Sequence, residues 1–135
     1  MNIFFDFPVL VPVFSLIVNE ILKVFSEIIK QKTFSLNFLF RSGGMPSGHS
    51  ALSASLMVLA WKIKGLDSFE FALAVAFSAI VIYDAMNLRA QAGHHARILN
   101  EIQARLHLNE RLGHSWIEVL AGVFVGGGVS FLVLS

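Results

Sequence analysis

Three short strings hold most of the residues in this chain that could do chemistry. The last of them, Leu112-Gly-His-Ser-Trp-Ile-Glu-Val119, sets His114 and Glu118 four positions apart, on one face of a helix. A carboxylate one turn away can hold one imidazole nitrogen as an N–H donor. The lone pair of the other nitrogen is then free to attack an electrophile or take a proton. The first string, Arg41-Ser-Gly-Gly-Met-Pro-Ser-Gly-His-Ser50, is built for an anion. Its glycines allow close backbone approach, and Pro46 stops any preceding helix. Ser47 is placed to cap a helix that begins near Gly48, with His49 in its first turn. Such a start offers free N–H groups and the positive end of the helix dipole. The middle string, Tyr83-Asp-Ala-Met-Asn-Leu-Arg-Ala-Gln-Ala-Gly93, puts Asp84 where a long apolar helix should close. A carboxylate there opposes the dipole, and an acid at membrane depth needs a partner or a task. Arg89 follows five positions later.

Each string also has a plain structural reading: a glycine-rich turn with a cap, an Asp–Arg pair ending a span, and an acid suited to a helix start. Glu20 and Lys23, three apart in an apolar stretch, neutralise one another on the bland reading and are site residues on the sharper one. Asp84 and Glu118 could together hold Mg²⁺ beside a phosphate. His94, His95 and His107 read as interfacial or solvated.

The elements that must position these residues follow from composition. The 135-residue chain is 56% hydrophobic and only 14% charged, with mean hydropathy +0.71. A soluble domain is about 25% charged. Ten Lys and Arg against nine Asp and Glu leave a net charge of +1, and there is no cysteine. These values exclude a disordered chain, a disulfide scaffold, a cysteine-ligated metal and a nucleic-acid binder. An integral membrane protein remains. Four stretches are apolar enough to be read as spans: Phe7 to Ile29, His49 to Ile63, Phe69 to Met86 and Trp116 to Leu134. The start has no positive n-region, so no signal peptide is expected. The expected fold is all-α, one membrane-embedded domain over residues 1–135, with about four transmembrane helices.

An interfacial amphipathic helix is expected over Ala96–Leu112, with Arg97, Glu101 and Arg105 as a salt-bridged ladder. Thr33–Phe40 would dip into the interface without crossing. Gly122 and Gly126, extended by Gly127 and Gly128, give the last span a close-packing face, and Ser50–Ser55 does the same for the second. Such faces also suit a homo-oligomer. The connections after the first and third spans carry seven Lys and Arg against two on the other side. The positive-inside rule puts that side in the cytoplasm.

Pro46-Ser47-Gly48-His49 resembles the central motif of the type 2 phosphatidic acid phosphatase superfamily, which includes vanadium haloperoxidases. The ordered set Gly-Gly-Met-Pro-Ser-Gly-His-Ser, Tyr-Asp-Ala…Arg…Ala-Gly, and Leu-Gly-His…Glu-Val resembles its divergent branch of small membrane proteins and covers nearly the whole chain. The resemblance implies a metal-free helical-bundle phosphatase acting on a phosphate monoester or diphosphate of a lipid, with no cofactor. By position, His114 would attack phosphorus and form a phosphohistidine, Glu118 would orient it, and His49 would protonate the leaving oxygen. Asp84 joins this catalytic group. Ser47 and Gly48 would cradle phosphate together with Arg89, Arg41 and Lys23. The superfamily's first motif has no match here, and Lys23 resembles a lysine typical of the divergent branch. Leu108 stands where the last motif usually has arginine, and Arg89 is the candidate for that guanidinium. The implied location is a bacterial inner membrane with the site on the cytoplasmic side. Two other functions fit the same residues: a binder or translocase for a phosphorylated lipid that does not turn over, and a structural bundle supporting a partner.

Overall fold

The computed structural model describes residues 3–32, 44–103 and 105–135. The expected interfacial segment Thr33–Phe40 and the phosphate-binding candidate Arg41 lie outside the described residues. A short α1 (Ile3–Asp6) leads into α2 (Leu10–Gln31), followed by α3 (Gly48–Lys64) and α4 (Phe69–Tyr83). A π-helical turn, Asp84–Leu88, joins α4 to α5 (Arg89–Ile102), and α6 (Trp116–Val133) closes the chain. The described residues contain no strand. The chain is an all-helical membrane bundle, and its long helices α2, α3, α4 and α6 fall on the four stretches read as spans.

Two helices are long and apolar enough to cross a membrane, Phe69–Ile102 and Trp116–Val133. Two features keep the others from meeting that measure: α2 carries Glu20, Lys23 and Glu27, and α3 has 17 residues. The 34-residue helix corrects the expectation that the helix closes at Asp84. At about 1.5 Å per residue it is roughly 50 Å long, against a hydrocarbon core of about 30 Å. The helix survives Asp84 because the backbone widens there by one residue, and the Arg89 N–H reaches back to the Asp84 carbonyl.

The amphipathic helix is α5, and its limits differ from those expected. It begins at Arg89 as a continuation of α4 and ends at Ile102, where Gln103 turns extended (φ −137°, ψ 91°). The chain then doubles back. The Asn100 side chain takes the Leu108 N–H on Oδ1 at 2.9 Å and donates from Nδ2 to the Leu108 carbonyl at 2.9 Å. Arg97 lies 3.5 Å from Glu110, so the expected Arg97–Glu101–Arg105 ladder gives way to a bridge between α5 and the returning strand of chain. Gly93 makes this return possible, since a Cβ there would lie 2.5 Å from the Glu110 carbonyl oxygen.

At the centre α3 packs against α2, α4 and α6, and α2 also touches α6. The α3 and α6 helices run parallel. A Cβ on Gly122 would lie 2.3 Å from the Ser47 carbonyl oxygen, and one on Gly126 would lie 2.0 Å from that of Ala51. Further along the same seam, Ser130 Oγ donates to Ser55 Oγ at 2.6 Å. The neighbouring seams are also small and polar: Ser15 Oγ donates to the Gly126 carbonyl and Ser78 Oγ to that of Ser53. The large apolar side chains mostly point outward, with Phe69, Phe124 and Leu132 each at least three-quarters exposed. This inversion is the pattern of a membrane bundle, where close backbone approach and hydrogen bonds replace a hydrophobic core. Gly127 and Gly128 do not extend the packed face. A Cβ on Gly128 would meet nothing within 4 Å, and one on Gly127 only a Val58 methyl at 3.9 Å. Toward the far end of α3 and α4 lies an apolar cavity of about 520 Å³, lined in part by Leu56, Leu59, Leu73 and Phe77.

Gly126→Ala is expected to destabilise the detergent-solubilised protein by about 1–3 kcal/mol through overpacking. Gly128→Ala should stay within about 0.5 kcal/mol. Unfolding of the two variants beside wild type checks the difference.

Candidate active site

The site forms where α3 and α6 begin. Ser47 is fully buried and caps α3, its Oγ accepting the Ser50 N–H at 3.5 Å and the Ser50 hydroxyl at 3.1 Å. Ser115 caps α6 in a reciprocal box. Its Oγ accepts the Glu118 N–H at 3.4 Å, and its own N–H reaches Glu118 Oε2 at 2.9 Å. The two starts are joined by the Ser47 N–H, which donates to the Glu118 carbonyl at 3.0 Å. Two positive dipole ends thus open side by side, an arrangement that favours an anion.

Each start carries a histidine, and the His49 and His114 ring centroids are 6.0 Å apart. His114 Nδ1 lies 3.2 Å from Glu118 Oε2, with the His114 side chain 7% exposed. With Glu118 ionised, Nδ1 is the protonated nitrogen and Nε2 keeps its lone pair. The i, i+4 pairing read in the sequence is therefore formed. Its backbone is fixed as well: the His114 N–H donates to the Ala85 carbonyl at 3.0 Å. Gly113 allows that approach with φ +93°, where a Cβ would lie 2.8 Å from the Ala90 nitrogen.

The π turn supplies the third side. Asp84 Oδ2 lies 3.2 Å from Arg89 Nε, as the pairing reading expected, and both side chains are partly exposed. Arg89, Asp84, His114 and Lys23 all act electrostatically on His49. The fourth side is α2. Lys23 is 8% exposed and pairs with Glu20 at 2.8 Å, and its stem passes under Gly44.

Two residues of α2 were missed in the sequence. Asn19, fully buried, donates from Nδ2 to the Pro46 carbonyl at 3.3 Å, and Ser26 Oγ donates to the Met45 carbonyl. With Lys23 they form one face at i, i+4 and i+7, the signal that would have revealed them. That face holds the loop leading into α3. His94, His95 and His107 are exposed and belong to no part of the site. Among the described residues no group of three or more His, Cys, Asp or Glu side chains gathers as a metal site.

The arrangement brings together Ser47, Gly48, His49, Asp84, Arg89, His114, Glu118 and Lys23 from four helices. It offers an anion two helix starts and two cations, with an acid-oriented imidazole facing a second imidazole. Fold and site together define a helical membrane bundle with two histidines paired at the joined starts of α3 and α6. The chain belongs to the Divergent PAP2 family, whose sequence pattern matches residues 4–129. It is similar to the uncharacterized membrane protein YuiD of Bacillus subtilis (strain 168), at 29% identity over 93% of this chain and 92% of that one. No solved structure matches.

Asn19→Ala strips the buried Pro46 carbonyl of its donor and should destabilise the protein by about 1–3 kcal/mol. Chemical unfolding in detergent, beside an exposed control such as His94→Ala, measures it.

Proposed function

We propose that this protein is a membrane lipid-phosphate phosphatase that hydrolyses a phosphate monoester or diphosphate of a lipid through a phosphohistidine on His114. The observation that carries this reading is the His114–Glu118 contact at 3.2 Å, set at two adjoining helix starts and facing His49 across 6.0 Å. In the proposed reaction His114 Nε2 attacks phosphorus and the bond to the lipid oxygen breaks. Protonated His49 gives its proton to that oxygen, and the lipid alcohol, or lipid monophosphate from a diphosphate, departs. A water then attacks the phosphohistidine, neutral His49 takes its proton, and inorganic phosphate leaves with His114 restored. The free N–H groups at the helix starts, Ser47, Lys23 and Arg89 would stabilise the equatorial oxygens, the largest contribution to lowering such a barrier. Membership of a phosphatase-related family supports the reaction class. The Lys and Arg count of the connections supports a site on the cytoplasmic side of a bacterial inner membrane.

A second reading, binding or translocation of a phosphorylated lipid without turnover, is favoured by one feature. Lys23 and Arg89 each already face a carboxylate, Glu20 and Asp84. It gives saturable lipid-phosphate binding with no phosphate release.

The test is inorganic phosphate release by detergent-purified protein from phosphatidate, prenyl diphosphate and phosphatidylglycerol phosphate. His114→Ala should lower the rate about 10³-fold or more, and His49→Ala about 10²–10⁴-fold. A chelator should leave the wild-type rate unchanged, and a phosphoenzyme that is acid-labile and alkali-stable should be trapped. Full activity in both histidine variants would end this mechanism.

A further inference from the structure

Lys23 is the buried cation that α2 brings to the loop before α3, and its charge is already engaged. Its Nζ lies 2.8 Å from Glu20 Oε2. The other oxygen of that carboxylate presses on the first residue of α3: a Cβ on Gly48 would lie 2.7 Å from Glu20 Oε1. One carboxylate therefore stands on Lys23 and beside the α3 start at once. Under the phosphate-site reading above, these are the cation and the helix end that the phosphate itself would use.

Burial explains why the carboxylate is there. A lysine with 8% of its surface exposed, in the middle of α2, is costly without a counter-charge. The contact to Glu20 uses one of three ammonium donors, so Lys23 can be shared with an arriving anion or change partner. A second negative group at that distance is repelled by Glu20. We infer that Glu20 is a positioning residue that sets the anion affinity of the site: it holds Lys23 in place and competes with phosphate for it. The site then binds phosphate less tightly than its cations and helix starts would alone, and product leaves readily. This role presupposes the phosphate site proposed above.

Glu20→Gln tests it, because glutamine keeps the size and can still accept from Lys23 but carries no charge. The probe is inorganic phosphate, titrated calorimetrically into the full-length protein in detergent. Phosphate should bind about tenfold tighter to Glu20→Gln than to wild type, roughly one charge-assisted hydrogen bond regained. It should bind undetectably to Lys23→Met. Turnover should show the same split, with KM falling and kcat not rising. Structural damage does not produce tighter binding. Glu20→Asp withdraws the carboxylate from Gly48 by one methylene and should tighten phosphate by a smaller factor, which keeps the test open if the glutamine variant does not fold. Unchanged or weaker phosphate binding in folded Glu20→Gln, with wild type binding, overturns this role and leaves the phosphate site standing. Absence of phosphate binding in wild type and both Glu20 variants overturns the site reading and this role with it.

Discussion

Gly122 and Gly126 let the backbone of α6 lie directly on the Ser47 and Ala51 carbonyls of α3, closer than any side chain would permit. The two helices are thereby locked in parallel, with Ser47 bonded to Glu118 and Ser55 to Ser130 along one seam. The functional geometry is downstream of that contact. It sets the distance between His49 and His114, and it aligns two capped helix starts at one end of the bundle. A methyl group at Gly122 would separate the helices first at the start of α3, since the Ser47 carbonyl belongs to the cap itself. The serines of the other seams act in the same sense: Ser15 lets α2 approach α6 and Ser78 lets α4 approach α3, each satisfying its hydroxyl on a backbone carbonyl.

His114 precedes α6, so its position also depends on the chain that leads to it. The helix from Phe69 runs past the level of the site, and the chain must come back along α5 to deliver Gly113 and His114 to the π turn. The Asn100 clamp and the Arg97–Glu110 bridge hold that return. The π turn carries Asp84 and Ala85 together, so one irregular stretch supplies both an acidic side chain near His49 and the carbonyl that anchors the His114 backbone.

Much of this was legible in the sequence because local chemistry decides it. Ser47 as a cap, His114 with Glu118 at i, i+4, Glu20 with Lys23 and Asp84 with Arg89 all depend on near neighbours, and all four form. Apolar length located the four long helices for the same reason. What escaped is long-range. Asn19 and Ser26 share a face of α2 with Lys23, but what that face holds, the loop before α3, is set by how α2 packs. The continuation through Asp84 escaped because a carboxylate at a span end ordinarily closes a helix, and here the turn widens to keep it. The limits of the amphipathic helix escaped because the apolar spacing over Ala96–Leu112 persists after the backbone has turned. Gly127 and Gly128 are indistinguishable from Gly126 by type, and only the facing of α6 separates them.

The parallel arrangement of α3 and α6 also makes the molecule directional. Both helices offer their amide-rich ends at the site and their carbonyl-rich ends, near Lys64 and Leu134, at the other pole. Set across a bilayer, these two helices are an oriented pair of dipoles, with α2 and α4 running the opposite way beside them. Under the proposed function, an anionic headgroup in the leaflet beside His49 and His114 would meet the amide ends of both helices at once. On that reading, the protein would handle its lipid from one leaflet only.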